Sequence, residues 1–252
     1  MKVALITPFD LLDLAALSDY HLLLPQHFPN ETYRRFYGDV KGFKILDNGA
    51  AEGYAADYVE LHDLGQQWGV NEIVVPDALQ DCNRTIELAR RFEPHVRSEF
   101  GYVGVAQGQT LAEVIKCITY FSFADWITTL ALPRSLNQIH WSQRFTILEP
   151  LVKEYKFDAI HCLGGSGWIR EIVALQGSGL VRGMDTSLPV VLGLASKTLM
   201  DDEYVSRQPN YFDVKVERNS YLWEVIYDNV RTYLEWGGVS LLGDEASPGG
   251  EV

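Results

Sequence analysis

Short apolar, β-branched runs alternate with amphipathic stretches along this chain, and that alternation limits its fold more than any other feature. One run and one stretch recur at roughly 25 to 30 residues per unit, a rhythm that means parallel strands joined by helical crossovers. The strand-like runs are Lys2–Pro8, Phe43–Leu46, Glu72–Pro76, Phe100–Ala106, Trp126–Leu132 and Asp158–Leu163, with a shorter run, Gly179–Arg182, leading into Asp185. Helical patterns follow them at Ala55–Trp68, stopped by Gly69, and at Asp81–Phe92, Trp141–Tyr155, Trp168–Leu175 and Tyr221–Trp236. Pro150 would kink or split the third of these. Thr110 and Glu113 stand at capping-box spacing ahead of a helix over Leu111–Tyr120. About seven units can be counted, and Phe212–Val216 is a candidate for a further strand. Asp10–Tyr37 fits neither pattern and reads as a long loop over the mouth of a barrel, a common place for substrate contacts. The expected class is α/β: a (β/α)8 TIM-like barrel, irregular or with one remodelled unit, with an open doubly wound sheet as the second choice. Residues 1–242 read as one domain, and Gly243–Val252, rich in Gly, Pro and acids, as a disordered tail.

The composition allows this. With 252 residues, 47% of them hydrophobic and 22% charged, there is material for one large core. No run of about 18 apolar residues suggests a membrane span. The strand-like N-terminus lacks the length and cleavage site of a signal peptide. Cys82, Cys117 and Cys162 lie far apart, with no CxxC pair and no histidine at ligand spacing. They read as buried structural thiols of a reducing compartment and argue against structural zinc. The cytoplasm is the expected location. A net charge of −13 disfavours nonspecific nucleic-acid binding, because a phosphate backbone is neutralised by Lys and Arg. A local basic groove remains open, built from Arg34, Arg35, Lys41, Lys44, Arg134, Arg144, Arg170, Arg182 and Lys197. Scattered solvated charges are the plainer reading of that set.

The chemistry collects where the strands end. Asp47, Asp77, Gln107, Arg134, Gly164-Gly165 and Asp185 close successive runs, and in a barrel all would face one pocket at the C-terminal rim. Acids and an amide suit a neutral, polar, planar ligand. A Gly-Gly turn opening onto a helix offers N–H donors with no side chain in the way. Taken singly, each has a structural alternative: Asp77 or Asp185 as a helix cap, Gln107 closing a strand, Gly-Gly as a plain turn. An unpaired carboxylate at an apolar strand end is costly, so Asp185 is expected to have a partner or a job. The job that fits it is that of a nucleophile.

Several of these residues sit in a recognisable pattern. Asp47-Asn48-Gly49-Ala50 resembles the Asp-Ser-Gly-Gly motif of the tRNA-guanine transglycosylases, the queuine tRNA-ribosyltransferase superfamily. Val105-Ala106-Gln107-Gly108 is similar to their Val-Gln-Gly turn, and Leu163-Gly164-Gly165 to their Ile-Gly-Gly turn. Asp185 with Leu188-Pro189 resembles their Asp-Cys-Val-Leu-Pro segment, which holds the nucleophile. The motifs keep the family order from about Ile45 to Pro189. The chain departs from that family in three ways. It has no Cys-rich zinc subdomain after Leu-Pro, its Gly165-to-Asp185 spacing is short, and Ala51 stands where the family has an aromatic that stacks on the base. The compact form resembles the phage and bacterial branch that exchanges guanine in DNA for a 7-deazaguanine.

The resemblance implies a set of roles. Asp185 would attack C1′ of a guanine nucleotide to give a covalent glycosyl–enzyme intermediate, as carboxylates do in retaining glycosidases. Asp47 would be the general acid/base. Asp77 would accept from the guanine N1–H and 2-amino group, while Gln107 and the N–H of Gly165, in the Gly164-Gly165 turn, would bind its carbonyl oxygen. Arg134 and Arg144 would contact phosphate, with a surface salt bridge as the plainer use of either. The partners implied are DNA at guanine sites and a free 7-deazaguanine base such as preQ0; no cofactor, metal or membrane is implied, and a homodimer is left open. The rivals are the same exchange on tRNA, a non-catalytic partner or binding subunit of such an enzyme, and a barrel enzyme acting on a small phosphorylated metabolite. His140, beside Trp141, could touch substrate, with a loop residue without function as the plainer reading.

Overall fold

The computed structural model describes residues 1–54, 56–137, 144, 146–147, 154–155, 157–165, 169–201 and 205–239. Eight parallel strands form one sheet that curls into a nearly closed barrel. They are β1 (Lys2–Leu5), β2 (Tyr20–Leu23), β3 (Phe43–Leu46), β4 (Glu72–Val74), β5 (Gly101–Val105), β6 (Thr129–Pro133), β7 (Ala159–Leu163) and β8 (Gly183–Thr186). The order is β1-β8-β7-β6-β5-β4-β3-β2. β1 and β2 lie against each other at the seam, with no ladder between them among the described residues. The register of β1 on β8 sets Ala4 opposite Asp185, and that of β7 on β8 sets His161 opposite Gly183.

The helices are α1 (Leu12–Ala15), α2 (Glu31–Asp39), α3 (Tyr58–Trp68), α4 (Cys82–Phe92), α5 (Leu111–Ser122), α6 (Ile169–Ser178), α7 (Leu188–Leu194) and α8 (Tyr221–Trp236). Their ends follow local chemistry. Asp57, Asp81 and Ser220 cap α3, α4 and α8 through side-chain oxygens, and Thr110 with Glu113 forms a full capping box on α5. Gly69 closes α3 at φ 59°, a conformation that costs glycine little. No helix among the described residues is long and apolar enough to cross a membrane. Cys82, Cys117 and Cys162 are free and buried, as expected.

Three expectations need correcting. Asp10–Tyr37 is not a loop over the mouth: it supplies α1, β2 and most of α2, so the eighth strand is Tyr20–Leu23. All four of its residues are buried, which erases the alternation that betrays a strand. Phe212–Val216 is not in the sheet, and Tyr211–Asp213 forms a 3-10 turn. The last barrel strand is Gly183–Thr186 rather than Gly179–Arg182, so Asp185 lies within it. A strand reading Gly-Met-Asp-Thr has too little apolar character to be seen as one. The expected helix over Trp141–Tyr155 falls largely outside the described residues, as do His140 and the tail Gly243–Val252.

Candidate active site

At the C-terminal ends of the strands the barrel opens into a cavity of about 570 Å³, within the usual range for a small-molecule site. Asp47, Asp77, Gln107, Arg134, Gly164, Gly165 and Asp185 all line it. These residues lie up to 138 positions apart, from 47 to 185, and only closing the sheet brings them together.

β3 delivers Asp47 and turns sharply at Gly49, which has φ 77° and no room for a Cβ beside the Tyr54 carbonyl. Asp47 is buried, with its Oδ2 accepting from the Gly49 N–H at 3.2 Å. Burial pushes its carboxyl up to about 8, helped by repulsion from Glu52, Asp77 and Asp185. At neutral pH Asp47 therefore keeps its proton. Asn48, which sequence reasoning passed over, donates from Nδ2 to Asp77 Oδ1 at 2.6 Å and to the Val75 carbonyl at 2.8 Å. Gln107 Nε2 donates to Asp77 Oδ2 at 2.5 Å, and Gln107 Oε1 accepts from the Gln80 N–H at 2.9 Å. Both oxygens of Asp77 are thus aimed, and Asp77 is not the cap of α4, a place taken by Asp81. Burial raises Asp77 as well, against the two side-chain donors that lower it.

Asp185 caps no helix. Its Oδ1 accepts from the Gly164 N–H at 2.8 Å and lies 3.1 Å from His161 Nε2. Among the described residues no hydrogen bond is made to Oδ2. The Gly165 N–H, expected to meet a ligand carbonyl, donates instead to the Asp185 main-chain oxygen at 2.6 Å. The Gly-Gly turn is thus pinned to β8, and both its N–H groups are used to hold Asp185 rather than a ligand. Gly164 sits at φ 72°, where a side chain is strained. A Cβ on Gly165 would stand 2.5 Å from Thr186 Oγ1 and 2.7 Å from Thr186 Cβ. Gly165→Ala should accordingly cost about 1–3 kcal/mol, by overpacking and loss of the bond to Asp185. Urea unfolding would read this as a lower midpoint at constant slope. Gly177→Ala on α6, where a Cβ meets nothing within 4 Å, should leave the midpoint unchanged or raised.

Arg144 is not a surface residue. It is fully buried and gives Nε and Nη2 to the two Glu171 oxygens, both at 2.8 Å. Its Nη1 reaches the carbonyls of Leu132, Leu163 and Gly164 at 2.8–3.1 Å. The expected phosphate contact is therefore corrected to a brace behind the Gly164 turn. The basic groove left open by the sequence does not assemble at the cavity. Lys44 is buried against the carbonyls of Tyr37 and Trp68, Arg182 pairs with Glu72, and Arg134 alone of that set lines the cavity. Arg207, outside that set, also lines it and pairs with Glu52 at 3.1 Å. Nothing in its local sequence signals this, because the 205–207 segment reaches the rim only through the tertiary fold. Among the described residues no aromatic ring lines the cavity; its apolar wall is aliphatic, with Leu22, Leu24, Leu79 and Val191. No protein-family model matches the chain, and no curated protein matches it.

Proposed function

We propose that this protein is a guanine transglycosylase that exchanges guanine in DNA for a 7-deazaguanine base of the preQ0 type, through a covalent glycosyl–Asp185 intermediate. The observation that carries the reading is the pairing of two unlike carboxylates in one cavity: Asp47 keeps a proton, and Asp185 offers an uncommitted Oδ2. Acids driven apart by their surroundings suit a division into proton donor and nucleophile. In the forward step Oδ2 of Asp185 bonds to C1′, the C1′–N9 bond breaks, and Asp47 protonates the departing guanine. In the return step Asp47 takes the N9 proton of the incoming base, whose N9 displaces Asp185 from C1′. Asp77 has lone pairs left for the base N1–H and 2-amino group, with its orientation set by Asn48 and Gln107. The second Nε2–H of Gln107 then serves the base carbonyl, a task the Gly165 N–H cannot share while it bonds Asp185. Arg134 and Arg207 at the rim suit the flanking phosphates. The target nucleotide must leave the helix stack to enter such a cavity. DNA is preferred to tRNA because residues 190–252 hold no cysteine, where a zinc-binding segment would need several.

Incubating the protein with a labelled 7-deazaguanine base and either duplex DNA or tRNA tests this reading. Label should enter DNA with wild type and not with Asp185→Ala. Wild-type incorporation by the variant would overturn the nucleophile, and labelling of tRNA alone would overturn the DNA substrate.

A further inference from the structure

Beneath Asp185 the barrel interior is polar, where bulky branched side chains ordinarily fill it. Tyr20 of β2, Glu72 of β4, Thr129 of β6 and Gly183 of β8 meet there, one from each alternate strand, with His161 of β7 against them. Glu72 takes Arg182 through both oxygens, at 2.7 and 2.5 Å, and accepts from Thr129 Oγ1 at 2.7 Å. The Arg182 guanidinium lies 4.7 Å from the centre of the Phe43 ring, with its Nε 3.4 Å from the Tyr20 hydroxyl. That hydroxyl is 3.0 Å from His161 Nδ1, and His161 Nε2 is 3.1 Å from Asp185 Oδ1. Tyr20 and His161 are completely buried. Gly183 makes the arrangement possible, since a Cβ there would stand 2.5 Å from the Tyr20 ring.

Donor counting sets the direction of this chain. Arginine only donates, so the Tyr20 oxygen accepts from Arg182 and its own O–H is left to donate. The acceptor in reach is His161 Nδ1. A neutral imidazole that accepts at Nδ1 carries its hydrogen on Nε2, the nitrogen facing Asp185. Glu72 neutralises Arg182 and fixes its fork, so the anchor of the chain is rigid.

We infer that His161 is a positioning residue for Asp185, locked in its Nε2–H tautomer by the Glu72–Arg182–Tyr20 chain. With the Gly164 N–H it holds Oδ1 from two sides and turns Oδ2 toward the cavity. The inference rests on the reading of Asp185 as nucleophile. The other ionisable groups around Asp185 are Arg144 behind the Gly164 turn, Tyr233 of α8, Tyr20 below and Cys162 of β7.

Two measurements test it. Nitrogen-15 NMR of the imidazole reads the tautomer without any assay: wild type should show Nε2–H with Nδ1 accepting, and Tyr20→Phe should lose that preference. An Nδ1–H or doubly protonated ring in wild type at neutral pH, or an unchanged ring in Tyr20→Phe, would overturn the lock. Kinetics of base exchange read the consequence. His161→Leu should lower kcat about 100-fold with KM for the incoming base little changed, the size expected when a reacting group is misplaced. His161→Gln, whose amide N–H reaches the place of Nε2, should recover at least about tenfold of the loss. Wild-type kinetics in His161→Leu, or no recovery by Gln, would overturn the positioning role. Asp185→Ala separates the two readings: if it still exchanges bases the nucleophile is wrong, whereas if it is dead while His161→Leu is unaffected, only the inference about His161 fails.

Discussion

Asp47→Asn is expected to gain stability while losing activity. Asp47 is buried among Glu52, Asp77 and Asp185, and its carboxyl is pushed up to about 8 from 3.8. Between those two values the folded protein binds a proton that the unfolded chain has lost. Stability therefore falls as pH rises through that window, by up to ~1.4 kcal/mol per pH unit, and levels off above about 8. Asparagine copies the shape of the protonated acid and does not titrate. The variant should match wild type near pH 4 and exceed it by on the order of 5 kcal/mol at pH 8. Urea midpoints at the two pH values measure the difference. A difference independent of pH would mean that Asp47 is already ionised in the fold and would remove it as the proton donor. Base exchange should fall by about 10²–10⁴, the usual contribution of a general acid/base. Such opposed effects are common where a site holds a group at a cost to the fold.

Arg144→Met is expected to lose stability and activity together, loosening the site without touching substrate. The substitution takes the Arg144 guanidinium away from the Glu171 carboxylate, 1% exposed, and leaves the carbonyls of Leu132, Leu163 and Gly164 without this donor. Removing one partner of a buried ion pair costs about 3–5 kcal/mol. The double variant Arg144→Met/Glu171→Leu takes the carboxylate away as well, and much of the stability should return. Exchange should not return with it, since the Gly164 carbonyl still lacks its brace. Thermal or urea unfolding of the two variants beside an exchange assay checks the pattern. Had Arg144 been a phosphate contact, Arg144→Met would keep wild-type stability and weaken nucleic-acid binding with a shallower salt dependence.

Much of the barrel was legible because the crossovers impose their own period. Five of the strand-like runs from Phe43 to Leu163 coincide with β3 to β7, and α8 spans Tyr221–Trp236 as its pattern predicts. The two strands that escaped are those with unusual side chains. β2 is buried throughout and carries Tyr20 and His21, and β8 carries Gly183 and Asp185. Both are polar inside for the same reason: Tyr20, Gly183 and Asp185 serve the network that runs up to the site.

The sequence by itself determined the α/β class, the capping box at Thr110 and Glu113 and the set of strand-end residues that share the cavity. Each of these follows from neighbours within one turn or one crossover, where propensity, capping and period act locally. Tertiary structure alone decided what each of those residues has to spare. It turned Arg144 inward, gave the two glycine N–H groups to Asp185, set His161 beside it and raised Asp47 by burial. A donor's partner, a carboxyl's proton and a charge's exposure depend on groups brought together from far along the chain, and no local pattern carries them.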